Sequence, residues 1–306
     1  KNSLNFLTRM SKIIRMNSSS KIIAITGSCG KTSLKELLAR TLNKFSKASY
    51  SPKSYNNKYG VPLSLFNLNP KHNYGVFEVG MDKKGEIDFL TKIIKPDVGV
   101  ITNISYAHAK NFKNIKQIAL AKSEMIKNIN KGGALVLNAD DNFFDLHKKI
   151  ALKQKLNIHS FSMNKKNTNI NLNSIKKMGN KFKVGINVEK QIKYFYISSN
   201  FESNIKNLLA TVTILSVFKE LENLNKNIFY DFYTPEGRGD ITKIKLRKKN
   251  IYLIDESYNS NPLSLKTALI NFDNLNTNNK KKHVILGDML ELGKHSIRQH
   301  KLINKT

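Results

Sequence analysis

Residues 22–34 read IIAITGSCGKTSL, and this stretch decides the fold class. A strand-type run, Lys21–Thr26, breaks at Gly27, and Gly30, Lys31 and Thr32 follow where a helix pattern begins. In α/β proteins, a strand that ends in a glycine turn and opens a helix holds phosphate, because backbone N–H groups and the helix amino end both face the anion. The stretch therefore predicts an α/β protein with a phosphate site.

The turn meets the general phosphate-loop pattern only in part. That pattern has four residues between its first glycine and the Gly-Lys pair, whereas only Ser28 and Cys29 separate Gly27 from Gly30. Lys31 would reach the β and γ phosphates, and the Thr32 hydroxyl would ligate Mg²⁺. The alternative is a turn that merely starts a helix. We favour phosphate binding, because the strand and the helix flank the turn as required, and we expect Cys29 to be a spacer rather than a nucleophile.

Strand and helix patterns alternate through the next part of the chain. Predicted strands are 21–26, 74–79, 98–102 and 134–138, and predicted helices are 33–45, 86–94 and 115–129. This βαβ rhythm predicts a mostly parallel sheet with helices on both faces. Three alternating runs near 168–175, 181–188 and 192–198 are typical of antiparallel strands at a sheet edge, and an apolar helix at 205–221 follows.

A second α/β pattern begins near Thr234-Pro235-Glu236-Gly237. It has predicted strands near 242–247, 251–255 and 283–286 and a predicted helix at about 263–272. We expect both ends of the chain to be truncated, because it starts at Lys1 and its second pattern has only about three strands.

Composition narrows the function classes. The 306 residues suit about two domains. The net charge of +30 comes from 52 basic and 22 acidic residues. Such a charge suits nucleic-acid or membrane-surface binding, but lysine, asparagine and isoleucine are all abundant and the lysines are scattered, which favours codon composition as the cause.

Cys29 is the one cysteine, so an intrachain disulfide is excluded and a reducing cytoplasm is expected. No apolar run approaches the ~20 residues of a membrane span.

Further candidates follow the predicted strands, where open α/β sheets bind ligands. Glu78 lies near the end of strand 74–79, where a carboxylate can hold Mg²⁺. His108 follows strand 98–102. Alone, each is more often structural than functional, but beside a phosphate turn they predict a nucleotide and metal site. Nothing in the residue pattern separates Lys122 from the other helix lysines.

Taken together, the motifs of the chain resemble those of the Mur ligases, which are ATP-dependent amide ligases. The similar segments are ITGSCGKT, YNNKYGVPLSL, FEVGMDKKGEI, ITNISYAHAKNF, ALAKSEM, LNADD, NIKNLLA, EGRGD, IDESYNSNP and LGDMLELGKHS. The short glycine spacing is the form that this family uses. YNSNP and GDMLELG resemble the members that add D-alanyl-D-alanine to a UDP-N-acetylmuramoyl-tripeptide in peptidoglycan synthesis.

The resemblance implies three domains, of which this chain would hold the end of the first, the second, and part of the third. Residues 1–19 would be a linker helix, residues 20–235 the ATP-binding central domain with its phosphate-loop sheet, and residues 236–306 part of a Rossmann-like carboxyl-terminal domain. The protein would be a cytoplasmic monomer, with no membrane insertion and no nucleic-acid partner.

The resemblance also assigns roles to single residues. ATP and two Mg²⁺ ions would bind, with Thr32, Glu78, His108 and a CO₂-derived carbamate on Lys122 as metal ligands. Lys31, Lys122, His108 and Arg238 would be the catalytic residues, and the hinge glycines Gly237 and Gly239 would let Arg238 approach the phosphates. The nucleotide-binding residues would be Gly27, Ser28, Gly30, Lys31, Thr32, Ser33, Asn57, Asn207, Arg238, Asp255, Asn259 and Asn261.

The implied reaction phosphorylates the tripeptide carboxylate and lets the amine of D-alanyl-D-alanine attack the acyl phosphate. Two alternatives stay open: a ligase similar to folylpolyglutamate or cyanophycin synthetases, and a non-catalytic basic module that binds nucleotides or nucleic acid. A kinase or simple ATPase is disfavoured, because the motifs of the second α/β pattern would then have no role.

Overall fold

A computed structural model describes residues 3–189, 191–246, 249–275 and 281–303. Its α-helices are α1 Ser3–Met16, α2 Lys31–Leu42, α3 Gly60–Phe66, α4 Glu86–Ile94, α5 Ile115–Ser123, α6 Phe144–Lys153, α7 Glu202–Val217, α8 Pro262–Asp273 and α9 Ser296–Ile303. Its strands are β1 Lys21–Thr26, β2 Ala48–Tyr50, β3 Tyr74–Glu78, β4 Val98–Ile101, β5 Ala134–Asn138, β6 Asn157–Ser162, β7 Ile170–Met178, β8 Lys181–Val188, β9 Gln191–Ile197, β10 Asp240–Leu246 and β11 Lys249–Asp255.

One nine-stranded sheet organises most of the chain, in the order β2-β3-β1-β4-β5-β6-β7-β8-β9. The pairs from β2 to β7 are parallel, and β7-β8 and β8-β9 are antiparallel. This confirms the predicted α/β class, the mostly parallel sheet and its antiparallel edge. The apolar strands β1, β3, β4 and β5 are almost entirely buried, as expected where helices cover both faces.

Two apolar cores lie on opposite faces of the sheet. On one face, α2 and α7 pack through residues such as Leu38 and Leu209. On the other face, the core of α3, α4, α5 and α6 includes Leu90 and Ile118. The predicted helices on both faces are therefore present. None of the described helices is long and apolar enough to cross a lipid bilayer.

The register brings the site-bearing strand ends together. Ile25 of β1 pairs with Glu78 at the end of β3, and Thr26 pairs with Ile101 at the end of β4. The glycine turn after β1 therefore emerges between Glu78 and the segment that follows β4.

The second α/β pattern is only partly as predicted. β10 and β11 pair antiparallel, and α8 begins at a capping box in which Asn261 and Ser264 exchange hydrogen bonds. The predicted strand at 283–286 is wrong, because residues 281–289 have no regular secondary structure and Ile285 is 97% exposed. A strand needs a partner for its backbone groups, and no described strand pairs with this apolar run. The proposed domain boundaries stay predictions.

Five of the described α-helices and strands had no counterpart in the sequence prediction: β2, α3, β6, α6 and α9. β2 is short, and β6 reads NIHSFS, a polar sequence that gains its strand state by pairing parallel to β5. The predicted helix at 115–129 is α only to Ser123 and continues as a 3₁₀ helix over Glu124–Asn128.

Truncation of a core leucine tests the packing of α7 on the sheet. Leu209 is fully buried, so Leu209→Ala should lower the free energy of unfolding by about 2–5 kcal/mol through reduced apolar packing and a residual cavity. Leu152→Ala, at a leucine that is 58% exposed, is the matched control. Urea denaturation monitored by circular dichroism measures both, and equal midpoints would contradict the described packing.

Candidate functional site

The glycine turn is fastened to the segment that follows β4. The backbone N–H of Ser28 donates to Asn103 O over 2.9 Å, and that of Cys29 donates to Asn103 Oδ1 over 2.9 Å. Thr102 Oγ1 donates to Cys29 O over 2.6 Å. Ser28 Oγ also exchanges hydrogen bonds with the backbone of Ser105. These bonds fix the turn in one shape before any ligand arrives.

Gly27 and Gly30 both have backbone conformations that favour glycine. Gly27 has φ +149°, and a Cβ there would lie 1.9 Å from Thr102 Oγ1. Gly30 has φ +80° and precedes α2 without a side-chain cap on the helix amino end. The turn therefore presents an uncapped helix amino end, which is the arrangement that attracts an anion.

Lys31, Thr32 and Glu78 meet at the mouth of this turn. Lys31 Nζ donates to Gly27 O over 2.9 Å, so its side chain folds back over the turn. Thr32 Oγ1 donates to Glu78 Oε2 over 2.8 Å, and Asn56 Nδ2 donates to Glu78 Oε1 over 2.7 Å. A buried carboxylate beside a hydroxyl offers the oxygen ligands that Mg²⁺ prefers.

His108 has different neighbours from those expected. Its Nδ1 lies 2.6 Å from Glu291 Oε2 and 3.2 Å from Asp82 Oδ1, in a left-handed backbone conformation with φ +55°. Ligand atoms of these three residues lie within 4.8 Å of one another, so they too can hold a cation. Burial lowers the pKa of His108, and the nearby charges of Lys122 and Lys31 lower it further. The carboxylates of Glu291 and Asp82 oppose that shift.

Lys122 is buried in the end of α5 and is 1% exposed. Among the described residues, none accepts a hydrogen bond from its amine or forms an ion pair with it. Burial, with repulsion from Lys31, lowers the pKa of Lys122 well below its usual 10.5. Burial therefore disfavours the charged form of this amine. The neutral amine is the form that reacts with CO₂.

A cavity of about 1030 Å³ opens over the turn. Of the residues predicted for the site, those that line it are Ser28, Gly30, Lys31, Thr32, Ser33, Asn57, Glu78, His108, Asn207, Arg238, Asn259 and Asn261. Gly27, Lys122 and Asp255 are not in its wall. Asp255 is at the end of β11, where its carboxylate accepts a hydrogen bond from Ser257 N over 2.8 Å.

The chain after residue 233 closes one side of this cavity. Arg238 Nη2 donates to Ser54 Oγ over 3.2 Å, and its guanidinium lies 4.0 Å from the centre of the Tyr258 ring. Burial raises the pKa of Glu256 to about 7, against the opposing effect of Arg238. Arg238 is thus held at the cavity by residues on both sides of it.

Asn207 of α7 and Asn261, which caps the amino end of α8, both approach the turn. Asn207 Nδ2 is buried without a hydrogen-bond acceptor among the described residues, and its Oδ1 lies 3.4 Å from where a Cβ on Gly30 would stand. Asn261 Nδ2 donates to Cys29 Sγ over 3.0 Å. Burial raises the pKa of Cys29, which fits a spacer better than a nucleophile.

Several site residues were missed from the sequence. They are Ser54, Asn56, Asp82, Thr102, Asn103, Glu256, Tyr258 and Glu291. Thr102 and Asn103 directly follow β4, so the strand-end rule that found Glu78 could also have found them. Glu291 lies in the GDMLELG segment of the family resemblance, but its contact with His108 was not predicted because it joins parts of the chain that are distant in sequence.

Comparison with known proteins gives a consistent result. Residues 25–215 match the family model for the Mur ligase middle domain. The chain is 34% identical over 304 residues to a UDP-N-acetylmuramoyl-tripeptide–D-alanyl-D-alanine ligase of Buchnera aphidicola, covering 98% of this chain and 63% of that protein. The chain therefore spans less than two thirds of the length of that relative.

Solved structures agree with this match. A crystal structure of MurF from Acinetobacter baumannii superposes with a TM-score of 0.88 at 27% identity, covering 98% of this chain and 64% of that one. The MurF ligase of Thermotoga maritima, solved in complex with ADP, has the same fold, with a TM-score of 0.87 at 24% identity over 100% of this chain and 68% of that one.

An added methyl group at Gly27 tests the shape of the turn. Gly27→Ala should displace Thr102 and weaken ADP binding at least about tenfold, because small displacements of preorganised groups weaken the bonds that they make to a ligand. Gly132→Ala is the control, since Gly132 also has positive φ but has nothing within 4 Å of an added Cβ. Isothermal titration calorimetry with ADP and Mg²⁺ measures both variants. Unchanged affinity in Gly27→Ala would contradict the described turn.

Proposed function

The chain belongs to the Mur ligase family, and on that premise we propose that it is the ATP-dependent amide ligase that joins D-alanyl-D-alanine to a UDP-N-acetylmuramoyl-tripeptide. The reaction would pass through an acyl phosphate on the tripeptide carboxylate and would supply a peptidoglycan precursor. We place the enzyme in the cytoplasm as a monomer.

The observation that carries this proposal is the joint position of the turn, Thr32 and Glu78. An uncapped helix amino end, the amine of Lys31 and a buried oxygen-ligand pair all face one cavity. That combination suits a magnesium nucleotide. The relatives with D-alanyl-D-alanine ligase names, such as that of Buchnera aphidicola, support the choice of substrates.

The residues fit the metal and the carbamate that the family implies. Thr32 and Glu78, which are joined by a hydrogen bond, would hold Mg²⁺, which when bound would neutralise charge on the phosphates. His108, which contacts Glu291 and Asp82, would be a further metal ligand. Lys122 would hold the carbamate. Its buried amine, which has no partner among the described residues, and its lowered pKa support that assignment. A carbamate converts this lysine into an anion able to face a cation.

The side chains of the protein would act by position and charge. A carboxylate repels an incoming amine until phosphorylation removes its charge, and both the carboxylate and the γ-phosphate are anions. Lys31 and Arg238 would offset that repulsion, and the backbone N–H groups of the turn would align the phosphates. Asn207, Asn259 and Asn261 line the same cavity and would contact the nucleoside. Asp255 would meet the ribose only after a movement that brings the end of β11 into the cavity wall.

Removal of the Lys31 amine tests the nucleotide loop. Lys31→Ala in the full-length protein should lower kcat for ATP-dependent ligation by about 10²–10³-fold, the usual cost of one preorganised charge-stabilising group. Phosphate release coupled to dipeptide addition measures this, with Lys153→Ala, at an exposed lysine of α6, as control. Normal coupled ligation by Lys31→Ala would refute the assigned loop. Ligation of glutamate instead of D-alanyl-D-alanine would favour a folylpolyglutamate-type ligase.

Removal of the Lys122 amine tests the carbamate. Lys122→Ala should lose ligation activity and regain part of it in acetate, because a small carboxylate can occupy the space of the carbamate. The measurement is the steady-state rate against acetate concentration, at fixed ionic strength set with chloride. Lys116→Ala, on the exposed face of α5, should keep normal activity without acetate. Full activity of Lys122→Ala without any additive would exclude a carbamate role.

A further inference from the structure

Lys35 is a fully buried lysine for which the proposed reaction has no use. It lies in α2, one helical turn after Lys31, and is 0% exposed. Its amine donates to the carbonyl oxygens of Ser51 and Lys53, over 2.7 Å to Ser51 O, and lies 2.9 Å from Glu36 Oε1. Lysine is rarely buried unless it is paired, so the burial of Lys35 against these carbonyl groups indicates a specific structural role.

The carbonyl groups that Lys35 binds belong to the loop of residues 51–57, which we call the substrate-side loop. Lys53 in this loop has φ +46°, a conformation that is unfavourable for a residue with a side chain. Ser51 ties the loop to β3, because Ser51 N donates to Val76 O and Glu78 N donates to Ser51 Oγ. The amine of Lys35 thus stabilises a strained turn of the chain from beneath.

Beyond that turn, the same loop reaches the candidate metal ligands. Ser54 Oγ lies 3.2 Å from Thr32 Oγ1, and Asn56 Nδ2 donates to Glu78 Oε1 over 2.7 Å. Asn56 O also accepts from Gly80 N over 2.8 Å. The hydroxyl of Thr32 and the carboxylate of Glu78 are therefore each contacted by a side chain of the substrate-side loop.

We propose that Lys35 is a positioning residue that holds the substrate-side loop so that Ser54 and Asn56 orient Thr32 and Glu78 toward a magnesium nucleotide. This inference rests on the proposed function. α2 begins at the phosphate turn and supplies Lys35 one helical turn later, so one rigid helix sets both the turn and the loop. An apolar side chain at residue 35 would leave the buried carbonyl of Ser51 without this donor and would also remove the hydrogen bond to Lys53 O.

The test separates an effect on the metal site from a general loss of structure. ADP affinity is measured by calorimetry, once with excess Mg²⁺ and once with EDTA. Lys35→Met should bind Mg·ADP about tenfold more weakly, the lower end of what outer-shell partners of a metal site cost, and should bind ADP in EDTA as the unaltered protein does. Lys35→Arg, which keeps a cation, should recover part of the loss.

Lys44→Met is the matched control. Lys44 lies just after α2 and its amine also donates to a backbone carbonyl, that of Ile228 over 2.7 Å, but neither Lys44 nor Ile228 lines the cavity. Its ADP affinity should be unchanged with and without Mg²⁺. Ser54→Ala alone should reproduce part of the Mg²⁺-dependent loss and should add little to Lys35→Met.

Three results would overturn the inference. They are an unchanged Mg·ADP affinity in Lys35→Met, an equal loss with Mg²⁺ and with EDTA, and, if Lys35→Met does not fold, an unchanged Mg²⁺ dependence in Ser54→Ala. A different result bears on the proposed function instead. If the unaltered protein binds ADP no better with Mg²⁺ than with EDTA, the magnesium nucleotide site itself is refuted.

Discussion

The close approach of the glycine turn to the end of β4 is the constraint on which the rest of the site depends. Gly27 leaves no room for a side chain beside Thr102, and Thr102 and Asn103 together bind the backbone of Cys29. Because the parallel register places Glu78 on the other side of the same turn, three strand ends meet there. The turn is therefore fastened to the segment that follows β4 and lies beside Glu78.

The sequence predicted the strands, helices and turns whose residue types are restricted by their local structure. The alternation of apolar strands with helices predicted the sheet and its antiparallel edge. Strands that are buried on both faces, such as β1, β3, β4 and β5, have nearly continuous apolar sequences that are easily recognised. Glycines beside Lys31 and Thr32 predicted the turn for a similar reason, since positive φ and close approach restrict the residue type. Most residues that the family resemblance assigned to the site do line one cavity.

Contacts between segments that are distant in the chain could not be predicted from the sequence. Glu291 meets His108, and Asn261 meets Cys29, only through the packing of the last part of the chain on the sheet. The apolar run at 283–286 has the composition of a strand, but a strand forms only where a neighbouring strand pairs with it. The local sequence does not show whether such a neighbour is present. Burial of Lys35 and Lys122 was equally invisible, since both lie among many solvated lysines of similar local sequence.

We propose that the turn around Lys31 binds a triphosphate and that Thr32 and Glu78 ligate its metal. A crystal structure with a non-hydrolysable ATP analogue and Mn²⁺ tests it most directly, because the anomalous signal of manganese locates the metal independently of the nucleotide. We expect a triphosphate along the turn and a manganese peak in contact with Thr32 Oγ1 and the Glu78 carboxylate. A triphosphate bound away from Lys31, or manganese held by Asp82, His108 and Glu291 with none beside Glu78, would contradict it.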